Sequence, residues 1–303
     1  MAELQALGPV ELNRTGKPLV GESLIAAARG TRIIVADRAV PAPAALFAAL
    51  PKLVAFCRGA VDIRTVDVAA ATAAGVLVTR ASPGFVSAVC ELIIGLAIDL
   101  CRGVSNSVAS YRAGMQPPVR MGRQIAGSTV GIIGHGAIGR ELVRLMQALG
   151  ATVLVADPYA RDVATVPLAD LLAQSDLVVC LAVANAETAD LMNADAFAAM
   201  RPGSLFINAS RGELVDEAAL ADALDRRHLA GAALDVGRAP DQMPSARLAQ
   251  RPDVLATPHI GGLTRAAADH QALETVRQVA SILSGTVPEG AVNATPLDAV
   301  MRR

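Results

Sequence analysis

A chain of 303 residues has room for about two domains of ordinary size. With 53% hydrophobic and 18% charged residues it cannot be a disordered chain. A formal net charge of −1, with Lys and Arg scattered, offers no basic face to nucleic acid or to an anionic membrane.

The opening stretch Met1–Gly8 reads as the last turns of a helix, and Val10–Asn13 reads as a strand. Helices are then expected over Glu22–Arg29, Ala42–Leu50 and Thr65–Ala74, alternating with strands at Arg32–Ala36, Leu53–Cys57 and Val76–Thr79. One long helix is expected from Val86 toward Ala113, stopped by Gly114 and the Pro117–Pro118 pair. Its most apolar part, Ala88–Cys101, carries Glu91 and Asp99 and falls short of a membrane span. Glu3 and the lack of a basic segment leading into an apolar run argue against a secretory leader. Cys57, Cys90, Cys101 and Cys180 lie far apart without metal-type spacing, so buried free thiols in a cytoplasmic protein are expected, and no metal site.

Six more strands follow, at Thr129–Ile133, Thr152–Ala156, Asp176–Leu181, Ser204–Asn208, Ala230–Asp235 and Val254–Thr257, with helices between them. A last helix covers Thr264–Ser284. This alternation argues for α/β layers with mainly parallel sheets, and six strands are the count of a doubly wound dinucleotide domain. The chain therefore divides into a dinucleotide-binding domain over 96–284 and a first domain made of 1–95 and 285–303.

Between the first two of these six strands stands Gly134-His135-Gly136-Ala137-Ile138-Gly139, and the second strand ends on Asp157. Gly134 permits a tight turn, Gly136 lets the backbone approach a pyrophosphate, and Gly139 lets the helix pack on the strand. The helix starting near Ala137 offers unpaired N–H groups to phosphates. Asp157 is placed to accept from ribose hydroxyls, and its charge repels a 2′-phosphate, which favours NAD over NADP.

Three further segments stand at strand ends, where open α/β sheets bind ligands. In Asn208-Ala-Ser-Arg-Gly212, Arg211 either holds a carboxylate by two parallel hydrogen bonds or forms a surface ion pair. In Thr257-Pro-His-Ile-Gly-Gly262, His259 is either structural or a proton donor to a carbonyl undergoing reduction. Asp235 ends a buried strand and either meets a nicotinamide carboxamide or caps a turn. The stretch after it contains Asp241, and an acid beside a histidine favours the imidazolium that a proton donor needs.

Taken together, Gly134–Gly139 with Asp157, Asn208–Gly212, Leu234-Asp-Val236 and Thr257–Gly262 resemble the D-isomer-specific 2-hydroxyacid dehydrogenase family. Weaker matches extend to Arg58-Gly-Ala-Val-Asp62, Ser82-Pro-Gly84 and Glu91. The resemblance implies a Rossmann-type doubly wound parallel sheet inserted into a flavodoxin-like substrate domain, in a homodimer. It implies NAD as cofactor and a small 2-oxo acid and its D-2-hydroxy acid as substrates. By the same resemblance Arg211 binds and polarises the 2-oxo acid, His259 is the acid/base, and Asp235 contacts the nicotinamide. Backbone N–H groups near Arg58, Gly59 and Ala60 would help hold the carboxylate. Ala182, Val183, Asn208, Ala209, Ser210, His259 and Gly261 would border the cofactor.

The chain departs from the family pattern in three places. The family's glutamate before a proline is replaced by Gly237-Arg-Ala-Pro-Asp241, so Asp241 takes its role only with a shift of one residue. The loop Leu181–Glu187 lacks the family's proline. The substrate domain has no residues for its expected opening strand. An NAD-responsive binding module with weak or no turnover is the alternative to a dehydrogenase.

Overall fold

The computed structural model describes residues 2–293, so expectations for Met1 and 294–303 lie outside the described residues. In chain order the elements begin with α1 (Ala2–Leu7), α2 (Glu22–Ala27), β1 (Ile33–Ala36), α3 (Ala44–Ala49), β2 (Ala55–Arg58), α4 (Val68–Ala73) and β3 (Leu77–Arg80). There follow α5 (Val86–Arg102), α6 (Val104–Arg112), β4 (Thr129–Ile133), α7 (Ala137–Ala148), β5 (Thr152–Ala156), α8 (Leu168–Gln174), β6 (Leu177–Cys180) and α9 (Ala194–Ala199). The remainder is β7 (Leu205–Asn208), α10 (Glu217–Asp225), β8 (Gly231–Leu234), α11 (Ala246–Ala249), β9 (Val254–Ala256) and α12 (Arg265–Leu283).

Two compact units result, one of Met1–Gly84 with Arg265–Arg303 and one of Phe85–Thr264. The boundaries thus differ from the expected 95/96 and 284/285. All of α5 belongs to the second unit, where Val89, Cys90, Ile93, Leu96 and Ala97 pack on strand residues Val130, Ile132, Val179 and Ile207. All of α12 belongs to the first, where Val279 and Ile282 pack on Val54, Ala55, Cys57 and Leu77.

The first unit holds a parallel sheet of order β1-β2-β3. One face meets Leu46, Phe47 and Leu50 from the α3 segment, while α12 covers the other. Val10–Asn13 forms no strand. The Asn13 amide instead donates to the Lys17 carbonyl at 2.7 Å, and its oxygen accepts from the Thr15 N–H at 3.0 Å. This local turn chemistry offers the backbone an alternative to a ladder. The expected long helix breaks at Gly103, whose φ of 66° ends α5 in the left-handed cap that glycine adopts without a Cβ penalty.

In the second unit the sheet order is β5-β4-β6-β7-β8-β9, and every neighbouring pair is parallel. Strands buried on both faces read as continuous apolar runs, which is why the sequence located them. Alternate residues serve opposite layers: Leu177 and Val179 face α5 and α7, whereas Val178 and Cys180 face Leu171, Phe197 and Leu220. After β4 the chain moves to β5 on one side and then returns to β6 on the other. That reversal is a topological switch point, and it opens a crevice above the ends of β4 and β6.

Register completes the placement. Ala156, Ile133, Cys180, Asn208, Leu234 and Ala256 form one row across the sheet. The residues that follow them, Asp157, Gly134, Leu181, Ala209, Asp235 and Thr257, therefore leave the sheet along one edge.

Candidate active site

At the switch point the chain turns at Gly134 with φ 99°, a conformation that L side chains rarely adopt. A Cβ there would lie 2.7 Å from the Leu181 carbonyl carbon, so the turn sits tightly on the exit of β6. A Cβ on Gly139 would lie 2.2 Å from the Gly134 carbonyl oxygen, which is how α7 starts close against the strand. Around Gly136, by contrast, a Cβ would meet nothing within 4 Å. Gly136 is also the N-cap of α7, and no side chain caps its N–H groups. An open, uncapped start of a 12-residue helix fits a dinucleotide pyrophosphate on Ala137 and Ile138 N–H groups.

Asp157 accepts the His135 N–H at 2.7 Å and the Tyr159 N–H at 2.8 Å. A carboxylate has about four lone-pair sites, so acceptor capacity is left for ribose hydroxyls. Partial burial pushes its pKa up. The N–H groups of His135, Tyr159 and Ala160, with the His135 ring, outweigh this and hold it below the ordinary aspartate value. The His135 ring is buried and faces Asp162 at 3.4 Å, and Asp162 also pairs with Arg140 at 3.1 Å. Val183 is exposed beside Ala182, and Asn185 and Thr188 shape this loop in the absence of proline, Thr188 donating to the Val183 carbonyl at 2.6 Å.

At the exit of β7 the buried Asn208 builds the turn that presents Arg211. Its amide donates to the Arg211 carbonyl at 2.9 Å and its oxygen accepts from the Ser210 N–H at 3.1 Å. The Asn208 side chain thus shapes the loop and keeps one amide N–H and one lone pair beyond these two bonds. Ser210 donates its hydroxyl to the Ala182 carbonyl at 2.7 Å, which ties Ala209 and Ser210 to the exit of β6. The Arg211 guanidinium is half-buried and donates to the Ser210 carbonyl at 2.7 Å.

Asp235 builds a turn as well. One of its oxygens accepts from the Thr257 hydroxyl at 2.6 Å and the Ile260 N–H at 2.9 Å; the other accepts from the Gly261 N–H at 2.8 Å. It is 2% exposed. Both oxygens are engaged in shaping the segment that carries His259, and, as at Asp157, acceptor capacity is left for a nicotinamide carboxamide. His259 itself has φ 55°, which turns its half-buried ring toward the loop after β8. There its Nδ1 lies 3.1 Å from the main-chain carbonyl oxygen of Asp241.

In the first unit Arg58 is fully buried, a position its charge did not suggest. Its guanidinium donates to the Asp37 carbonyl and to Thr65 Oγ1 and stacks over the Phe56 ring. Burial pulls its pKa down, opposed by Asp37 and Asp62. The Gly59 N–H donates to the Ala36 carbonyl at 2.9 Å and is therefore not available to a carboxylate, and the Ala60 carbonyl accepts from Ala81 at 3.2 Å. Of the remaining histidines, His228 meets the Met200 carbonyl at 2.8 Å, and His270 meets Ser82 Oγ at 2.8 Å.

Residues 94–261 match the family model described as D-isomer specific 2-hydroxyacid dehydrogenase, NAD binding domain. The chain belongs to this family. It carries the family's NAD-binding domain over those residues. It is 36% identical to an (S)-sulfolactate dehydrogenase of Chromohalobacter salexigens over 80% of this chain and 81% of that protein. It is 34% identical to D-3-phosphoglycerate dehydrogenase of Mycobacterium leprae over 89% of this chain. The chain spans about half the length of that relative, 52%. Among solved structures, a glyoxylate reductase from Paecilomyes thermophila matches with a TM-score of 0.82 and 27% identity, over 96% of this chain and 94% of that one.

Sequence reasoning missed Thr257 and Gln242. Thr257 opens the motif that carries His259, but its own role becomes visible only through its bond to Asp235.

Proposed function

We propose that this chain is an NAD-dependent oxidoreductase that interconverts a small 2-oxo acid and its D-2-hydroxy acid, as a cytoplasmic homodimer. The observation that carries this reading is the common sheet edge on which the glycine turn, the Arg211 loop and the His259 loop emerge. Bound NADH supplies the hydride that reaches C2 of the 2-oxo acid. Arg211 holds the substrate carboxylate and polarises the carbonyl through charge-assisted hydrogen bonds. His259 gives a proton to the carbonyl oxygen in reduction and takes it back in oxidation. Asp235 holds the 257–261 segment so that the ring is in place before substrate arrives.

The relatives' names speak of phosphoglycerate, sulfolactate and glyoxylate, which directs the substrate search to short acids, with or without a second anionic group. Among the described residues no helix is long and apolar enough to cross a membrane. A regulatory module without turnover would have no use for Arg211 and His259 at strand exits, and nothing in the site favours it.

His259→Ala is expected to abolish NADH-dependent reduction and leave NADH binding nearly unchanged. The chain has no Trp, so binding is followed by the cofactor's own fluorescence. Loss of binding together with turnover would remove His259 from the acid/base role.

A further inference from the structure

The loop between β8 and α11 holds two successive non-glycine residues in the left-handed region, Asp241 and Gln242, both with φ 58°. Left-handed conformations in such residues persist only where their surroundings over-determine them, and they gather at functional sites. Here the surroundings are explicit. The Gln242 carbonyl accepts the Gly237 N–H at 2.8 Å, and the Ala239 N–H donates to the Met243 carbonyl at 3.0 Å. The Gln242 side-chain amide donates to Glu213 Oε1 at 3.3 Å, across 29 residues of sequence. Glu213 stands two residues after Arg211. Between them Gly212 lies against the Gly237 backbone so closely that a Cβ would fall 2.1 Å from its carbonyl oxygen.

The consequence falls on His259. With Gln242 anchored to the Arg211 loop, the preceding residue turns its main-chain carbonyl toward Nδ1 of the imidazole. A carbonyl oxygen only accepts, so Nδ1 must carry a hydrogen to use it. A neutral ring held in this way leaves its lone pair on Nε2, and a protonated ring carries its transferable proton there.

We propose that Gln242 is a positioning residue for His259: by fixing the Asp241 main-chain carbonyl, it sets the Nδ1–H tautomer and aims Nε2 at the reacting oxygen. In this chain a main-chain carbonyl thereby accepts from the Nδ1–H of the ring. The proposal rests on His259 as the acid/base, but its first test needs no turnover.

The experiment is nitrogen NMR of the full chain labelled with 15N-histidine; with four histidines, His259→Ala assigns the ring. Above the titration of the ring, wild-type His259 should show the Nδ1–H pattern. Asp241→Gly keeps the carbonyl and should keep that pattern. Gln242→Met keeps length and packing but lacks the amide donor. It should move the ring toward the Nε2–H form that an unconstrained imidazole favours. It should also lower kcat for 2-oxo acid reduction roughly tenfold, a part of the 10²–10⁴-fold that general acid–base catalysis typically supplies, with NADH affinity unchanged. An Nε2–H pattern in the wild type would overturn the proposal even if no variant folds. Loss of the Nδ1–H pattern in Asp241→Gly would assign the contact to the carboxylate instead. An unchanged tautomer and kcat in Gln242→Met would remove Gln242 from the role. A chain that shows the Nδ1–H pattern but reduces no 2-oxo acid would contradict the dehydrogenase reading and leave the tautomer assignment standing.

Discussion

The carboxylate of Asp157 accepts the main-chain N–H of His135 at 2.7 Å, which joins the end of β5 to the glycine turn after β4. The residue that would meet the ribose thus also holds the turn that would meet the pyrophosphate. Replacing Asp157 with Ala should weaken NADH about tenfold or more, the equivalent of one or two lost hydrogen bonds at ~1 kcal/mol each. NADPH should lose less, because the repulsion of its 2′-phosphate goes with the carboxylate. Fluorescence titration with both cofactors checks this, and equal losses would remove Asp157 from the ribose site.

The second and third glycines of the turn make opposite demands. Gly139→Ala pushes a Cβ to 2.2 Å from the Gly134 carbonyl oxygen, so the variant should lose thermal stability by several degrees as well as cofactor binding. Gly136→Ala meets no atom within 4 Å and has an ordinary φ of −72°. It should unfold at the wild-type temperature and bind NADH more weakly. If Gly136→Ala binds NADH as the wild type does, the pyrophosphate does not approach that backbone.

Asp235 is a buried acceptor for Thr257 Oγ1 and for two main-chain N–H groups. Asp235→Ala strands those N–H groups, at a cost of about 1–3 kcal/mol each. Chemical denaturation should show this loss, and turnover should fall with the His259 loop. Thr257→Val removes one bond only and should cost about 1 kcal/mol while sparing most activity. Equal damage from both variants would mean that Asp235 does not organise the loop.

Acid should destabilise the second unit in a way traceable to particular carboxylates. Asp157 is held below its ordinary value by main-chain N–H groups against partial burial. Asp253 is held low by its hydrogen bonds to Arg251, again against burial. For a depressed carboxyl the stabilisation is present above the unfolded value, about 3.9, and is lost as pH falls through the lower folded value. The melting temperature of the wild type should therefore fall more steeply below about pH 4 than that of Asp157→Asn. Parallel curves would show that Asp157 contributes nothing to the acid limb.

Much of this was legible in the residue order. Each strand expected from Arg32 onward forms within a few residues of its reading, because parallel strands buried on both faces are short apolar runs bounded by turn residues. The edge on which the site residues emerge needed only those ends. Other features were not legible for physical reasons. A main-chain carbonyl exists in every residue, so nothing in Gly237-Arg-Ala-Pro-Asp241 distinguishes a carbonyl partner for His259 from a carboxylate one. The Gln242–Glu213 contact joins distant loops and leaves no periodic trace. The motif at Arg58 does not foretell its burial, where Thr65, the Asp37 carbonyl and the Phe56 ring meet the guanidinium. The apolar stripe of α12 fits a sheet face in either unit, and only packing of Val279 and Ile282 assigns it to the first.

The central claim is that the edge carrying Gly134–Gly139, Arg211 and His259 delivers hydride to a 2-oxo acid. The most direct test is NADH oxidation by the purified chain across glyoxylate, hydroxypyruvate, pyruvate and bulkier 2-oxo acids, with the configuration of the product determined. At least one of them should be turned over to a D-2-hydroxy acid, and His259→Ala should abolish that turnover. Tight NADH binding with no oxidation across the whole panel would contradict it.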